Sequence, residues 1–343
     1  MNPALDLFVP GVVYLDIIFT GLEDLPQPGT EVWASGMGSC PGGIANLAVA
    51  AARLGLATGL GTALSTDAYG DFCADILCAQ ENIDLTASLR TDGHSPVTVS
   101  LAYDRDRSMI THGHPLPLNA DGLVGELPAC RAASVSLTKD RLPWVRRAKQ
   151  AGTLVFADVG WDASAEWPPE MLDMLEDCHA FLPNSVEAMQ YTRAGSPAEA
   201  LHRLAGLAPV VVVTCGADGV LAHDARTGET VHVPAVPVPA LDPTGAGDVF
   251  TAGFILGSLR DWPLTRSLAF ANLIAALSVQ HFGGSLSAPG WGDIADWWRT
   301  ARSMPGDLAT RYAFLDDVIP GGEQRTVRRA GATIARLSDA HAH

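Results

Sequence analysis

Seven consecutive residues, Asp242-Pro243-Thr244-Gly245-Ala246-Gly247-Asp248, concentrate more potential chemistry than any other stretch of the chain. The small residues Gly245, Ala246 and Gly247 run straight into the apolar helical pattern of Val249 to Leu259. At such a helix start, successive backbone N–H groups point outward and the helix dipole adds partial positive charge. Together they make a cradle for an anion such as phosphate. Asp248 falls in the first turn, close enough to act as a base on a bound hydroxyl. The same pattern also fits an ordinary tight turn with an acidic first helical turn. The rest of the chain has to decide between them.

A phosphate site here must work almost without lysine. Of 22 basic residues only Lys139 and Lys149 are lysines, and neither follows a glycine-rich loop, so the G-x-x-x-x-G-K-[ST] pattern is absent. The glycines at 36, 38, 42, 59 and 61 do not form G-x-G-x-x-G between the first strand and helix, which argues against a dehydrogenase. A formal charge of -16 opposes binding to a nucleic-acid backbone. No run of about 18 apolar residues is free of glycine or charge, so no membrane span is expected. Cys40, Cys73, Cys78, Cys130, Cys178 and Cys215 form no C-x-x-C pair and read as buried thiols in a reducing cytoplasm. With 48% hydrophobic and 17% charged residues the chain has the apolar surface for a large core.

The elements that position the motif alternate. An apolar run from Leu7 to Tyr14 reads as a strand ending near Asp16, and Ile44, Leu47, Ala48, Ala51 and Leu54 have helical spacing. Strands are expected at 58–64, 133–137, 153–157, 180–182 and 210–214. Helices are expected at 69–80, 143–150, 249–259 and 264–280. This alternation implies a mostly parallel α/β sheet covered on both faces. Glu31 to Ser35, Val97 to Tyr103 and Ser108 to Thr111 read instead as β-ribbon, with a polar turn at Asp104-Arg105-Asp106. These segments would form a small lid, near 17–39 and 97–111. His112 and His114 on it are expected to be solvent-exposed, as are His341 and His343 in the tail. Trp161-Asp162 reads as a packed aromatic loop. The chain is expected to divide into a main domain, 1–298, and an appendage, 299–343, of unknown role.

The D-x-T-G-A-G-D-x-F stretch, the glycine-rich segment before the first helix and Asn184-Ser185-Val186-Glu187 together resemble the ribokinase-like (PfkB) family of carbohydrate kinases. The resemblance runs in order from about Leu7 to Trp298. It implies a Rossmann-like α/β domain of nine or so strands with a β-lid, and transfer of the ATP γ-phosphoryl group to a substrate hydroxyl. Asp248 resembles the family's base, and the N–H groups of Gly245, Ala246 and Gly247 its anion hole. Backbone donors suffice there because phosphoryl transfer is mostly positioning and charge stabilisation.

By the same resemblance Asp16, Gly42, Gly43 and Asn46 contact the substrate. With Asn46 kept in register, Gly42 falls on a family glycine and Pro41 replaces its partner. Asn184 and Glu187 would organise water around Mg²⁺ near the ATP phosphates, although Asn followed three residues later by Glu is also a helix-capping pattern. Thr214, Gly216 and Gly219 resemble the nucleotide-side turn, which a glycine hairpin would also explain. Asn272 resembles a residue bordering the adenine; a buried Asn there needs a ligand or a backbone group as partner. Asp242, Thr244, Gly283 and Ser287 match positions that hold K⁺ in many members, with Pro243 where Thr is common. The resemblance also implies a homodimer through the lid. The substrate is expected to be a sugar or sugar-like molecule, with a nucleoside as the alternative and a non-catalytic sugar-binding regulator as a third reading.

Overall fold

The computed structural model describes residues 5–103, 106–114, 120–160, 165–304, 306–322 and 327. The Asp104-Arg105 turn, Trp161-Asp162, His341 and His343 lie outside the described residues. Eight strands form the main sheet, in the spatial order β14-β13-β12-β11-β10-β9-β1-β4. They are β1 (Leu5–Pro10), β4 (Thr58–Gly61), β9 (Cys130–Ser136), β10 (Leu154–Asp158), β11 (Ala180–Phe181), β12 (Val210–Thr214), β13 (Val220–Asp224) and β14 (Glu229–Val233). All pairings are parallel except β12 with β13 and β13 with β14, which close the sheet as an antiparallel hairpin pair.

Alternate residues of each strand face opposite cores, as a doubly covered sheet requires. Val210 and Val212 of β12 join one core, with α1 (Ala45–Arg53), α7 (Ala246–Leu259), α8 (Leu264–Ser278) and α9 (Trp291–Ala301). Val211 and Val213 join the other, with α4 (Pro143–Gln150), α5 (Ser185–Thr192) and α6 (Pro197–Leu204). The shorter helices are α2 (Ala68–Ala74), α3 (Ala120–Val124) and, after α9, α10 (Leu308–Arg311) and α11 (Leu315–Val318). A π-helical stretch, Asp75–Gln80, prolongs α2. Tyr312 and Leu315 are fully buried in the first core, and the Tyr312 hydroxyl donates to the Ala269 carbonyl at 3.1 Å. The packing of the first core therefore runs past Trp298.

A second sheet, ordered β3-β2-β7-β8, stands apart as the lid. Its strands are β2 (Val13–Thr20), β3 (Gly36–Gly43), β7 (Val97–Tyr103) and β8 (Asp106–His112). The short strands β5 (Ala63–Ser65) and β6 (Leu89–Thr91) pair beside it. Two expectations change here. The Leu7–Tyr14 run is not one strand: β1 ends at Pro10, Gly11 turns with φ 149°, and β2 starts in the other sheet. Glu31 to Ser35 carries no strand; the ribbon is Gly36–Gly43, paired antiparallel with β2 from Thr20↔Gly36 to Val13↔Gly43. Pairing with β2 overrides the weak strand preference of a segment holding four glycines and a proline.

The cysteines form no disulfide among the described residues, and four are buried. Cys78 is exposed and Cys215 half-buried, which corrects the expectation that all six are interior. Cys78 lies on the outer side of the π-helical stretch, away from the packed face held by Ile76 and Leu77.

Candidate active site

The Asp242–Asp248 segment leads into α7, and Pro243, Gly245, Gly247 and Asp248 line a cleft that begins at the ends of β10 and β12. Gly245 caps α7 with φ 76°, a left-handed conformation that glycine adopts without strain. A Cβ at Gly245 would also stand 3.2 Å from the Asn46 side chain. The amides of Gly245 and Gly247 have no hydrogen-bond partner among the described residues, and both residues line a cleft of about 500 Å³. The Ala246 amide differs from its expected place in the anion cradle: it donates back to the Pro243 carbonyl at 3.2 Å. The turn thus leaves two outward donors and spends the third on its own closure.

Asp248 stands between this cleft and a second cavity of about 440 Å³. The second cavity reaches the C-terminal ends of β1, β9 and β10, the edge where ligands bind in open α/β sheets. Asn46, in the first turn of α1, donates from Nδ2 to Asp248 Oδ2 at 3.1 Å. Its Oδ1 is buried without a hydrogen-bond partner among the described residues. Nothing in the sequence joins these two residues, which are 202 positions apart.

Asp158, at the end of β10, lines both cavities with Asp248. Burial holds its carboxyl well above the usual range, and the charges of Glu187 and Asp248 add to the effect. Burial also raises Glu187, with Asp248 acting in the same direction against the hydrogen bonds from Asn184. Three acidic side chains therefore influence one another at the junction of the two cavities. From sequence alone Asp158 belongs only to one of the loops on which substrate identity rests, with no charge partners assigned to it. A lone Asp at a strand end carries no motif, and the fold supplies its partners.

Asn184 and Glu187 form a reciprocal capping box. The Asn184 amide donates to Glu187 Oε2 at 2.8 Å, and the Glu187 amide donates to Asn184 Oδ1 at 3.0 Å. Both line the cleft of about 500 Å³, as do Thr214 and Gly216. Gly219 lies behind it, with φ 91°, where a Cβ would stand 2.2 Å from the Val233 carbonyl oxygen. Asn272 is satisfied by backbone: its Nδ2 donates to the carbonyls of Val233 at 3.0 Å and Pro234 at 3.3 Å.

Asp16 lies within β2 of the lid sheet, not at the end of the first strand as expected, because the chain changes sheets at Gly11. It is 7% exposed, and a Cβ on Gly42 would lie 2.0 Å from its carboxylate. Gly42 is thus the residue that admits Asp16. Gly43, with φ 62°, seats the ring of Tyr14 and lines the cavity of about 440 Å³. Burial, and secondarily the charge of Asp16, raises the Tyr14 phenol.

Behind the anion turn, Asp242 is 1% exposed. Its Oδ1 accepts from the Thr244 amide at 2.9 Å and its Oδ2 from the Gly283 amide at 3.2 Å. Thr244 Oγ1 is buried without a partner among the described residues. The Ser287 hydroxyl donates to the Gly284 carbonyl at 2.7 Å. Asp242, Thr244 and Gly283 are gathered; Ser287 uses its hydroxyl within its own turn.

Comparison with known proteins gives concordant findings. The model of the pfkB family of carbohydrate kinases matches residues 16–291. A nucleoside kinase of Methanothermobacter thermautotrophicus is 26% identical over 302 residues, covering 85% of this chain and 95% of that protein. The structure of Arabidopsis thaliana ribokinase with ribose and ATP superposes with a TM-score of 0.69 at 24% identity, over 85% of this chain and 98% of that one. A putative ribokinase II from E. coli, in complex with ATP and Mg²⁺, gives a TM-score of 0.69 at 21% identity, over 86% and 99%. No helix among the described residues is long and apolar enough to cross a membrane.

Proposed function

The chain belongs to the PfkB family of carbohydrate kinases, and from that premise we propose that it moves the γ-phosphoryl group of ATP to a hydroxyl of a sugar or sugar-like substrate, with Asp248 as base. One observation carries the reading: Asp248 stands at the junction of two cavities, beside two amides with no partner among the described residues. The cavity of about 440 Å³ takes the acceptor and the cleft of about 500 Å³ the phosphates. Asp248 Oδ1 removes the hydroxyl proton as the oxygen attacks phosphorus, while Asn46 holds Oδ2. The Gly245 and Gly247 N–H groups meet the charge of the transferring group, which rigid donors stabilise without reorganising.

Among the described residues no three His, Cys, Asp or Glu side chains group closely enough to hold a metal ion by themselves, so a divalent cation at the junction would be held through water and the phosphates. Burial and the charges of Glu187 and Asp248 raise Asp158, and burial and the charge of Asp248 raise Glu187, so a nearby cation would favour the ionised form of both. Mg²⁺ bound there, largely through water, would neutralise phosphate charge. The Asn184 amide fixes one oxygen of Glu187 for that task. Thr214 and Gly216 border the nucleotide in this reading, while Asn272 and Gly219 shape the backbone behind it. Asp242, Thr244 and Gly283 are the K⁺ ligands, with the unpartnered Thr244 Oγ1 as the supporting observation. The lid sheet closes the acceptor side, and its outer strand β8 bears exposed Met109 and Ile110, the surface proposed for a homodimer. Light scattering reads that association; a monomer at all concentrations rejects it.

The test is release of ADP from Mg-ATP across a panel of sugars and nucleosides. Asp248→Asn should lower turnover by about 10²–10⁴-fold, the usual worth of a general base, with ligand binding retained. Turnover near wild type removes Asp248 from the role, and sugar binding without ADP release rejects a kinase reaction. In the same assay K⁺ should activate over Na⁺; equal rates dismiss the cation site.

A further inference from the structure

Lid strand β3 meets the main domain at a short 3₁₀ turn, Gly284–Ser287, which follows α8. Two buried side chains tie them together. Cys40 of β3 donates from Sγ to the Gly283 carbonyl at 3.0 Å, and Ser285 donates from Oγ to the Pro41 carbonyl of β3. One donor comes from each side, so the pair fixes the register of strand on turn as well as their distance. Burial keeps the Cys40 thiol protonated, and it remains an S–H donor. Two residues earlier in β3, Gly38 lies against the Phe282 ring, where a Cβ would stand 2.5 Å from Cε2.

The same turn is tied to the anion turn. The Gly283 amide donates to Asp242 Oδ2 at 3.2 Å, and Asp242 Oδ1 accepts at 2.9 Å from the amide of Thr244, the residue before Gly245. On the acceptor side, Cys40 stands opposite Asp16 in the β2–β3 pairing. Gly284, with φ 42°, approaches both proposed contacts: a Cβ there would lie 3.1 Å from Asn46 Oδ1, 3.5 Å from Asp16 Oδ2 and 3.6 Å from Cys40 Sγ. At the far end Arg53 of α1 donates to the Leu286 and Ala288 carbonyls, which anchors the turn to the core.

A run of hydrogen bonds therefore leads from the strand beside Asp16 to the turn that bears Gly245 and Gly247. Close-packed, hydrogen-bonded groups of this kind shift together rather than deform continuously. Neither the Cys40 nor the Ser285 side chain lines the two cavities of the proposed site. Both act through the backbone that they hold.

We propose that Cys40 and Ser285 are positioning residues that latch lid strand β3 to the anion turn, so that phosphates bound at Gly245 and Gly247 steady the strand paired with Asp16. The inference rests on the nucleotide-site reading above. By linkage the effect is mutual: an acceptor held at Asp16 steadies the anion turn by the same free energy. Each ligand thereby prepares the site for the other.

Amide hydrogen exchange tests it, with Mg²⁺ and the β,γ-imido analogue of ATP as the probe and no acceptor present. In the wild-type chain the analogue should slow exchange at residues 245–248, where it binds, and also in β3, by about fivefold or more. In Cys40→Ala/Ser285→Ala the slowing in β3 should fall to about twofold or less, with that at 245–248 kept. Cys40→Ser retains a donor and should respond as the wild type does, while Cys40→Ala should lose part of the response. These two single variants decide the matter if the double variant does not fold. The proposal is overturned if the analogue slows 245–248 but leaves β3 unchanged, if the β3 response survives the double substitution, or if Cys40→Ala and Cys40→Ser respond alike. No slowing at 245–248 rejects the nucleotide-site reading itself, and the latch falls with it, so one measurement tells the two failures apart.

Discussion

Asp248 reaches its proposed role through a partner from the other end of the chain. The Asn46 side-chain amide donates to Asp248 Oδ2 at 3.1 Å and so orients the carboxylate. A hydrogen bond to a charged group is worth about 1.5–3 kcal/mol. Asn46→Leu should therefore lower kcat by about 10–100-fold. It also removes the unpartnered Oδ1, so thermal stability should hold or rise. Turnover and melting temperature measured on the same preparation check this; an unchanged kcat assigns Asn46 to packing alone. The D-x-T-G-A-G-D motif was legible because glycine before a helix and Asp in its first turn are local features. The Asn46–Asp248 bond was not, because it exists only once α1 and α7 pack. Ala246 marks the limit of motif reading, since its amide closes the turn with Pro243 instead of facing the cleft.

Among the elements, the loop after α8 depends on a buried ion pair. Arg53, at the end of α1, pairs with Glu81 through two hydrogen bonds of 2.9 and 2.7 Å. It also donates to the carbonyls of Leu286 at 3.1 Å and Ala288 at 2.6 Å. The two side chains are 4% and 10% exposed, so removing one strands the other. Arg53→Met should cost about 3–5 kcal/mol in urea unfolding, and Arg53→Met/Glu81→Leu should recover part of it. A loss under about 1 kcal/mol for the single change would mean water reaches Glu81. Element boundaries followed the sequence where a segment stays within one helix or one sheet, as for α4 at Pro143–Gln150 and β12 at Val210–Thr214. They failed at the change of sheets. Leu7 to Tyr14 is continuously apolar because β1 and β2 are each buried in a different sheet, and the Pro10-Gly11 pair was the available turn signal. Strand β3 was hidden by its own glycines, which are needed because Asp16, Thr20, Tyr14 and Phe282 occupy the space of their side chains.

For the molecule as a whole, a net charge of -16 must coexist with an anionic nucleotide. The fold concentrates acidic side chains at the sheet edge where the phosphates are proposed to lie, so a cation has to enter the balance. The consequence can be worked through in pH. Asp158 and Glu187 have folded pKa values above their unfolded ones. Between those values the native state binds more protons than the unfolded state, so stability falls as pH rises through that window. Mg²⁺ at the junction would compete with those protons and offset the repulsion between ionised carboxylates. Its stabilising effect should therefore grow from about pH 5.5, near the ordinary carboxylate range, to about pH 8. Melting temperatures with and without Mg²⁺ at the two pH values measure this. Glu187→Gln removes one of the charges and should shrink the difference between them. An equal Mg²⁺ shift at both pH values, or one untouched by Glu187→Gln, would place the cation away from these carboxylates.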